Sequence, residues 1–482
     1  MKKFIGRREE LRDLEGLLKA PRPVLLTIKG RRRIGKSRLA AEIAKGKEFI
    51  SFTGLAPVDG ITAQAQLDAF ARQYYTKFGL PPMTVTDWSD AFAHVTEQIT
   101  AQPTIILFDE ISWMGSKDPT FIPKLKVWWD QTLQQYPNIM LILCGSVSTW
   151  IEDNILNSTA FFGRISLQID LKGLSLPESV KFLEELGVNY SVYDIFQCLA
   201  ITGGVPWYLE QIKPDLTAEE NIKKLCFNPK GVLVHEYDRI FHDLFDHKGE
   251  IYRKIVQQLG IGMKTVAELR QELDYAHGGV LSRYLQDLET SGFIEQHYTW
   301  SLKTGTLGRQ KLYRLSDSYL RFYVKYIQPN LPHIKKNAYR NIPISSLPGW
   351  EAMLGFQVEN LILKNRLLLL DALGVYPQDV VADNPYRQRA TKRHKGCQID
   401  YLVQLRTNTI FACEFKFTKQ EIGSSVISAM QEKINRLAIS RGYGICPVLV
   451  HIGGVANSVY DKQYFYRVID AADFLTDLSE II

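Results

Sequence analysis

Two groups of residues in this 482-residue chain have the types and spacing that phosphoryl chemistry requires. In the first, GRRRIGKS over residues 30–37 fits the pattern G-x-x-x-x-G-K-[ST], with Gly30 and Gly35 framing a loop that Lys36 and Ser37 close. Backbone N–H groups of such a loop, with the N-terminus of the following helix, cradle phosphates. Lys36 reaches the terminal phosphates, and the Ser37 hydroxyl holds magnesium. Downstream, the apolar run TIILFDE ends in Asp109 and Glu110. Asp109 is placed to hold the magnesium through water and Glu110 to orient or deprotonate the attacking water. Ser146, at the end of LILCG, can touch the γ-phosphate or that water; a serine after a strand also serves as a helix cap.

The second group lies near the C-terminus. CQIDYLVQ over residues 397–404 puts Asp400 in a strand, and TIFACEFKF over residues 409–417 puts Glu414 and Lys416 on one face of the next by the two-residue period. A tight turn at residues 406–408 makes the two strands antiparallel neighbours. Two carboxylates there can bind a divalent metal, with a lysine orienting or activating water for attack on a phosphodiester. A buried ion pair in a structural domain uses the same residues. Just upstream, RQRATKRHK supplies Arg387, Arg389, Lys392, Arg393, His394 and Lys395, which reads as a backbone-phosphate clamp or as a solvated loop.

Two further positions have paired readings. Arg164 in FFGRISL is either an arginine finger, supplied in cis or in trans, or a solvated or salt-bridged side chain. The turn TGGVPWYL over residues 202–209 either packs beside the nucleotide or simply starts a helix at Pro206.

These residues need a scaffold, and the hydrophobic pattern supplies one. Short β-branched and aromatic runs at residues 24–29, 48–53, 104–109 and 139–145 alternate with helical patterns at 63–77 and 87–99, the order of an α/β unit with a covered parallel sheet. Helices follow at 176–186, 192–202 and 206–212 without intervening strands, which predicts a helical lid. Helical patterns at 251–259, 265–272 and 277–290, then short strands at 294–300 and 310–315 around KTGTLG, predict a winged helix. Its third helix turns Leu281, Leu285 and Leu288 inward and Ser282, Arg283, Gln286 and Glu289 outward, and the wing adds Lys303, Arg309 and Lys311. The expected division is a core at 1–172, a lid at 173–247, a winged helix at 248–328, a linker at 329–348 and a second α/β domain at 349–482.

Composition narrows the class. A chain 45% hydrophobic and 23% charged can bury substantial cores. Its most apolar short stretch, residues 361–373, is interrupted by charges well short of the roughly 20 residues that span a bilayer. The start shows no signal-peptide pattern, and six cysteines without a CxxC pair argue against a disulfide framework or structural zinc. A cytoplasmic protein without membrane association is expected. The formal charge of +6 is too small to identify nucleic acid as a partner, so local clusters matter more.

The residues then resemble known families. GRRRIGKS, LFDEISWM, LCGSVSTW, FGRI, TGGVPWYL and the opening FIGRREEL look like archaeal and bacterial ATPases related to AAA+ and STAND proteins, over roughly residues 1–330. That resemblance implies ATP rather than GTP, a helical lid and a following winged helix. It makes Asp109 and Glu110 the metal and water residues, and Ser146 the sensor position. Asp400 and the Glu414-Phe415-Lys416 element resemble the PD-(D/E)xK nuclease superfamily, with Glu359 in GFQVENLI matching its helix glutamate and Gln431 and Lys433 its auxiliary polar positions. Ile399 stands where that pattern often has proline. The implied fold is a P-loop ATPase with a helical lid, a winged helix and a C-terminal restriction-endonuclease-like α/β domain. Magnesium, or manganese in its place, would bind at Glu359, Asp400 and Glu414. The function so implied is ATP-dependent or ATP-gated cleavage of nucleic acid, with double-stranded DNA as the partner. The alternative is an ATPase switch whose C-terminal domain grips DNA or a protein without cutting, alone or as a homo-oligomer.

Overall fold

A computed structural model describes residues 3–56, 60–81, 84–146, 148–245, 249–275, 279–390, 395–439 and 442–476. The chain divides into two compact units. The first comprises Met1–Gly173 with Asp238–Tyr252 and Arg283–Gly292. The second comprises Leu174–Tyr237, Arg253–Ser282 and Phe293–Ile482.

The first unit is built on β1 (Val24–Lys29), β2 (Glu48–Thr53), β3 (Thr104–Asp109), β4 (Ile139–Gly145) and β5 (Leu167–Asp170). They form one parallel sheet in the order β2-β3-β4-β1-β5. Parallel strands covered on both faces must be apolar throughout, and β1 and β4 are buried along their whole length, whereas the edge strands β2 and β5 are only partly buried. One face is packed by aromatic rings: Phe52 stacks on Phe70, and Phe92 stacks on both Phe108 and Trp128. The strand β5 lies beyond the sequence expectation, as four residues of mixed polarity give almost no periodic signal.

In the second unit, the expected lid helices appear at Leu176–Glu185, Val192–Thr202 and Pro206–Leu209, joined by Ala218–Cys226. Capping boxes at Ser175 with Glu178 and Thr217 with Glu220 fix two of their starts. Gly204, with φ 72°, ends the turn after Val192–Thr202; a Cβ there would lie 2.5 Å from the Leu174 carbonyl oxygen. The region expected to form a winged helix, whose residues are divided between the two units, contains helices Gly249–Ile261, Val266–Glu272 and Val280–Thr290, followed by β7 (Ile294–Trp300) and β8 (Leu307–Leu315). With β6 (Lys264–Thr265) these strands form a sheet in the order β6-β8-β7. Leu281, Leu285 and Leu288 are buried, and Ser282, Arg283, Gln286 and Glu289 are exposed. The stretch read as a linker contains a helix, Gln328–Lys335.

The C-terminal part of this unit has a mixed sheet, β13-β12-β11-β10-β9. Its strands are β9 (Val380–Gln388), β10 (Cys397–Leu405), β11 (Thr409–Phe417), β12 (Gly444–Ile452) and β13 (Arg467–Asp470). β9, β10 and β11 run antiparallel, while β11, β12 and β13 run parallel. Two helices, Trp350–Lys364 and Arg366–Leu373, precede this sheet in the chain. They break at Asn365, whose side chain accepts from the Leu176 N–H at 3.1 Å and donates to the Leu361 carbonyl at 2.8 Å.

Candidate functional sites

Strand order explains the first site. Because β4 lies between β3 and β1, Ser146 after β4 stands between the end of β3, with Asp109 and Glu110, and the loop that leaves β1. In that loop Gly30 and Gly35 have φ of 147° and 95°, and a Cβ on Gly30 would lie 2.4 Å from the Leu171 carbonyl oxygen. Only glycine lets the chain pass there. Lys36 is buried, and its ammonium donates to the carbonyls of Gly30 at 3.0 Å and Arg31 at 3.2 Å. The Ser37 hydroxyl donates to Asp109 Oδ2 at 2.5 Å. Glu110 has left-handed backbone geometry, φ 52°, and its Oε2 accepts from both the N–H and the hydroxyl of Ser146, at 2.9 and 2.7 Å.

The donor set fits a nucleotide with magnesium. A hydroxyl and a carboxylate lie side by side for a hard cation, an ammonium is anchored within the loop, and loop N–H groups precede a helix N-terminus. Ser37 and Asp109 would hold the cation and Lys36 the phosphates, and the bound cation would supply charge neutralisation on the phosphate oxygens. Glu110, fixed by Ser146, would orient water.

Two arginines stand out here. Arg7, within FIGRREEL, is buried and donates to the carbonyl of Ile34 at 3.2 Å and of Lys172 at 2.5 Å, tying the chain start to the phosphate loop. In the sequence Arg7 has no role beyond its place in that resembling motif. Arg164 was expected as a candidate finger, but its guanidinium is engaged by Asp130: Nε donates to Oδ1 at 2.7 Å and Nη2 to Oδ2 at 2.9 Å. A bidentate pair of this kind holds the planar guanidinium in place and holds the Asp130 carboxyl below its ordinary range. In this arrangement Arg164 is a salt-bridged residue.

The C-terminal site is assembled by the sheet. The antiparallel register pairs Tyr401 with Cys413, which places Asp400 opposite Glu414. A register shift between Ile399 and Leu402 against β9 marks a bulge at Asp400, a common way of re-aiming a side chain. Asp400 Oδ2 accepts from the Phe415 N–H at 2.9 Å. Glu414 is buried and paired twice, with Lys416 at 2.8 Å and with Lys433 of helix Ser425–Arg436, which also lies 4.0 Å from Asp400. Glu359, on helix Trp350–Lys364, has its carboxyl pushed up to about 7, by burial first and then by the charge of Asp400. Burial, then Glu414, also raises Asp400. Among the described residues no group of three or more His, Cys, Asp or Glu is gathered closely enough to hold a metal ion. The expected sharing of a cation by Glu359, Asp400 and Glu414 has no such gathered group behind it among the described residues, and Glu414 is paired with Lys416 and Lys433. In the basic run, Lys392, Arg393 and His394 lie outside the described residues.

The fold and the first site define a P-loop ATPase. Residues 4–212 match the model of a family described as an ATPase domain predominantly from Archaea, and the chain is an ATPase. An uncharacterised protein of Methanocaldococcus jannaschii is 25% identical over 407 residues, 84% of this chain and 85% of that relative. Among solved structures, a Walker-type ATPase of Pyrococcus abyssi is similar with a TM-score of 0.50 and 18% identity, covering 67% of this chain and 96% of that one. The ORC2 protein of Aeropyrum pernix aligns with a TM-score of 0.43 and 14% identity, covering 69% and 96%. No helix among the described residues is long and apolar enough to cross a membrane.

Proposed function

We propose that this ATPase is a nucleotide-controlled switch of the AAA+-related kind, whose C-terminal domain grips nucleic acid, with double-stranded DNA as the first candidate. The observation that carries this reading is the pairing of Glu414 with both Lys416 and Lys433. Two ammonium groups beside a strand-borne acid, one of them 40% exposed, give a surface suited to a phosphate backbone without a ready-made metal pocket. The three helices and the β7–β8 hairpin support a winged-helix assignment, and exposed Lys303, Arg309 and Lys311 add phosphate contacts at its tip. Binding of labelled DNA and RNA, followed by fluorescence anisotropy with ADP and with a non-hydrolysable ATP analogue, tests the switch. Equal affinity in both nucleotide states would sink it.

The second reading is metal-dependent phosphodiester cleavage, favoured by the placement of Asp400, Glu414 and Lys416 on adjacent strands. It requires the lysines to yield their places to a cation. Supercoiled and linear DNA incubated with magnesium or manganese, with and without ATP, decides it when the Asp400→Ala variant is run alongside. Wild-type cutting that the variant lacks supports cleavage, and no cutting leaves the gripping domain.

A further inference from the structure

A cavity of about 680 Å³ lies in the second unit, lined by the start of helix Val192–Thr202, the start of helix Ala218–Cys226 and the start of helix Trp350–Lys364. That is the size of a site for a small molecule. Its charged lining is one-sided: Asp194, Asp215, Glu219 and Glu351 face it with a single cation, Lys419. Glu219 is already paired with Lys223 at 2.9 Å and accepts from the Ile344 N–H at 3.1 Å. Asp194, Asp215 and Glu351 form no ion pair among the described residues. Asp194 accepts from the Ser191 hydroxyl at 2.7 Å and Glu351 from that of Tyr193 at 3.4 Å. A second cavity of about 450 Å³ shares Tyr193, Asp194 and Lys419 with the first and adds Asp470, so the acid-lined space is elongated.

Two details point to a ligand. Gln197, on the same helix as Asp194, lines the first cavity and is 7% exposed, yet its side-chain amide makes no hydrogen bond among the described residues. Buried amides are almost always paired, and this one is turned to the cavity. The Tyr193 ring, stacked on Phe417 with centroids 4.7 Å apart, holds the Lys419 ammonium 4.6 Å from its own centroid. The cavity thus already receives an ammonium group over an aromatic face, as a cation–π contact.

We propose that this cavity binds a linear polyamine, a small molecule whose several ammonium groups are joined by short methylene chains. Charge excludes an anion, because carboxylates that lack a cation repel it. A lone metal ion is a poor match, since among the described residues no three acids are gathered closely enough to hold one. Acids spread along an elongated space instead meet ammonium groups spaced along a chain, whose methylenes lie against Tyr193 and Trp350. The Gln197 carbonyl accepts from one ammonium. Lys419 is the internal occupant that the ligand displaces from Tyr193. The site uses no residue of the phosphate loop or of the Asp400 and Glu414 pair, so it stands or falls apart from the nucleic-acid reading.

The test is calorimetric titration of the full chain, free of nucleic acid, with spermidine at near-physiological salt, beside putrescine, butylamine and magnesium. Saturable binding is expected, tighter for spermidine than for putrescine and absent for butylamine, with no displacement by magnesium at equal ionic strength. Asp215→Asn combined with Glu351→Gln should weaken it about tenfold. Gln197→Leu should also weaken it about tenfold, and should raise the melting temperature of the unliganded chain because an unpaired buried amide is removed. A glutamine with a purely structural role would give a lower melting temperature instead. Lys419→Met should strengthen binding severalfold by removing the competing ammonium. If Gln197→Leu fails to fold, the variants at Asp215, Glu351 and Lys419, all exposed, carry the decision. No binding of spermidine, displacement by magnesium at equal ionic strength, or affinity unchanged in the double acid variant would each overturn the proposal.

Discussion

Ser146 gives its backbone N–H and its hydroxyl to the same carboxylate oxygen of Glu110, at 2.9 and 2.7 Å. This makes Ser146 a positioning residue for Glu110. Ser146→Ala keeps the N–H contact and loses the hydroxyl, worth roughly 1.5 kcal/mol for a bond to a charged group. The expected outcome is a fall in kcat of about tenfold with KM nearly unchanged. Glu110→Gln should bind ATP and stop turnover. Steady-state phosphate release and calorimetry check both; hydrolysis unchanged in Glu110→Gln would remove that residue from the mechanism.

Lys36 is held by the carbonyls of Gly30 and Arg31. Lys36→Ala should abolish ATP binding and with it the nucleotide-induced rise in melting temperature. For the wild type that rise corresponds to about 2.7 kcal/mol at a ligand concentration 100 times Kd. A thermal-shift titration with ATP and magnesium measures it, and an undiminished shift in Lys36→Ala would move phosphate recognition elsewhere.

The Arg164–Asp130 pair makes a prediction about pH. Asp130 lies below its ordinary value of 3.8, chiefly through the hydrogen bond from Arg164. Its contribution to stability is therefore present above the unfolded value and is lost as pH falls through the lower folded value. Arg164→Ala should lower the melting temperature slightly at pH 7 and have a smaller effect near pH 3. Turnover should stay near wild type. Mixing Arg164→Ala with Lys36→Ala protein checks the alternative, because restored hydrolysis would show Arg164 acting in trans.

Gln357 is fully buried and donates to the carbonyls of Ala200 and Ser318, at 2.7 and 2.6 Å. Gln357→Leu fills the same space but strands both carbonyls, so a loss of about 1–3 kcal/mol is expected. Urea unfolding of the full chain reads it as a lower midpoint. An unchanged midpoint would mean that the carbonyls find other donors.

Much of this arrangement was legible in the sequence because its signals were local. The runs that became β1, β3 and β4 are continuously apolar, as central parallel strands must be, and the loop from Gly30 to Ser37 is defined by residue type alone. β9 gives no strand pattern in the sequence, since it carries Asp383, Asn384 and Pro385; an edge strand accommodates them. The break at Asn365 was hidden by leucines on both sides, which keep the helical pattern intact. Pairings such as Arg164 with Asp130, and Glu295 with Arg314, join residues with no shared pattern, so only the fold reveals them. Lys433 was marked by its place in a helix that resembles a nuclease element, but its pairing with Glu414 could not be read from spacing.

The raised carboxyls of the C-terminal site give the opposite pH dependence from Asp130. Glu359 is pushed from an ordinary 4.5 to about 7, by burial first and then by Asp400, so the folded chain binds its proton more tightly than the unfolded chain. Between those two values the folded state holds a proton that the unfolded state has released. Stability must therefore fall as pH rises through that window, by at most about 3 kcal/mol for this group. Glu359→Gln should flatten the fall in melting temperature between pH 5 and 8 and leave the variant more stable than wild type at pH 8. A bound divalent cation would relieve the same repulsion. If the acids take magnesium after the lysines yield, adding it at pH 8 should raise the wild-type melting temperature, with no such rise in Asp400→Asn. Magnesium also reaches the ATP site, so the measurement is made in a Lys36→Ala, Asp109→Asn background. A pH profile in Glu359→Gln that superimposes on wild type would show that this carboxyl does not set the dependence, and equal magnesium shifts with and without Asp400 would exclude it as a ligand.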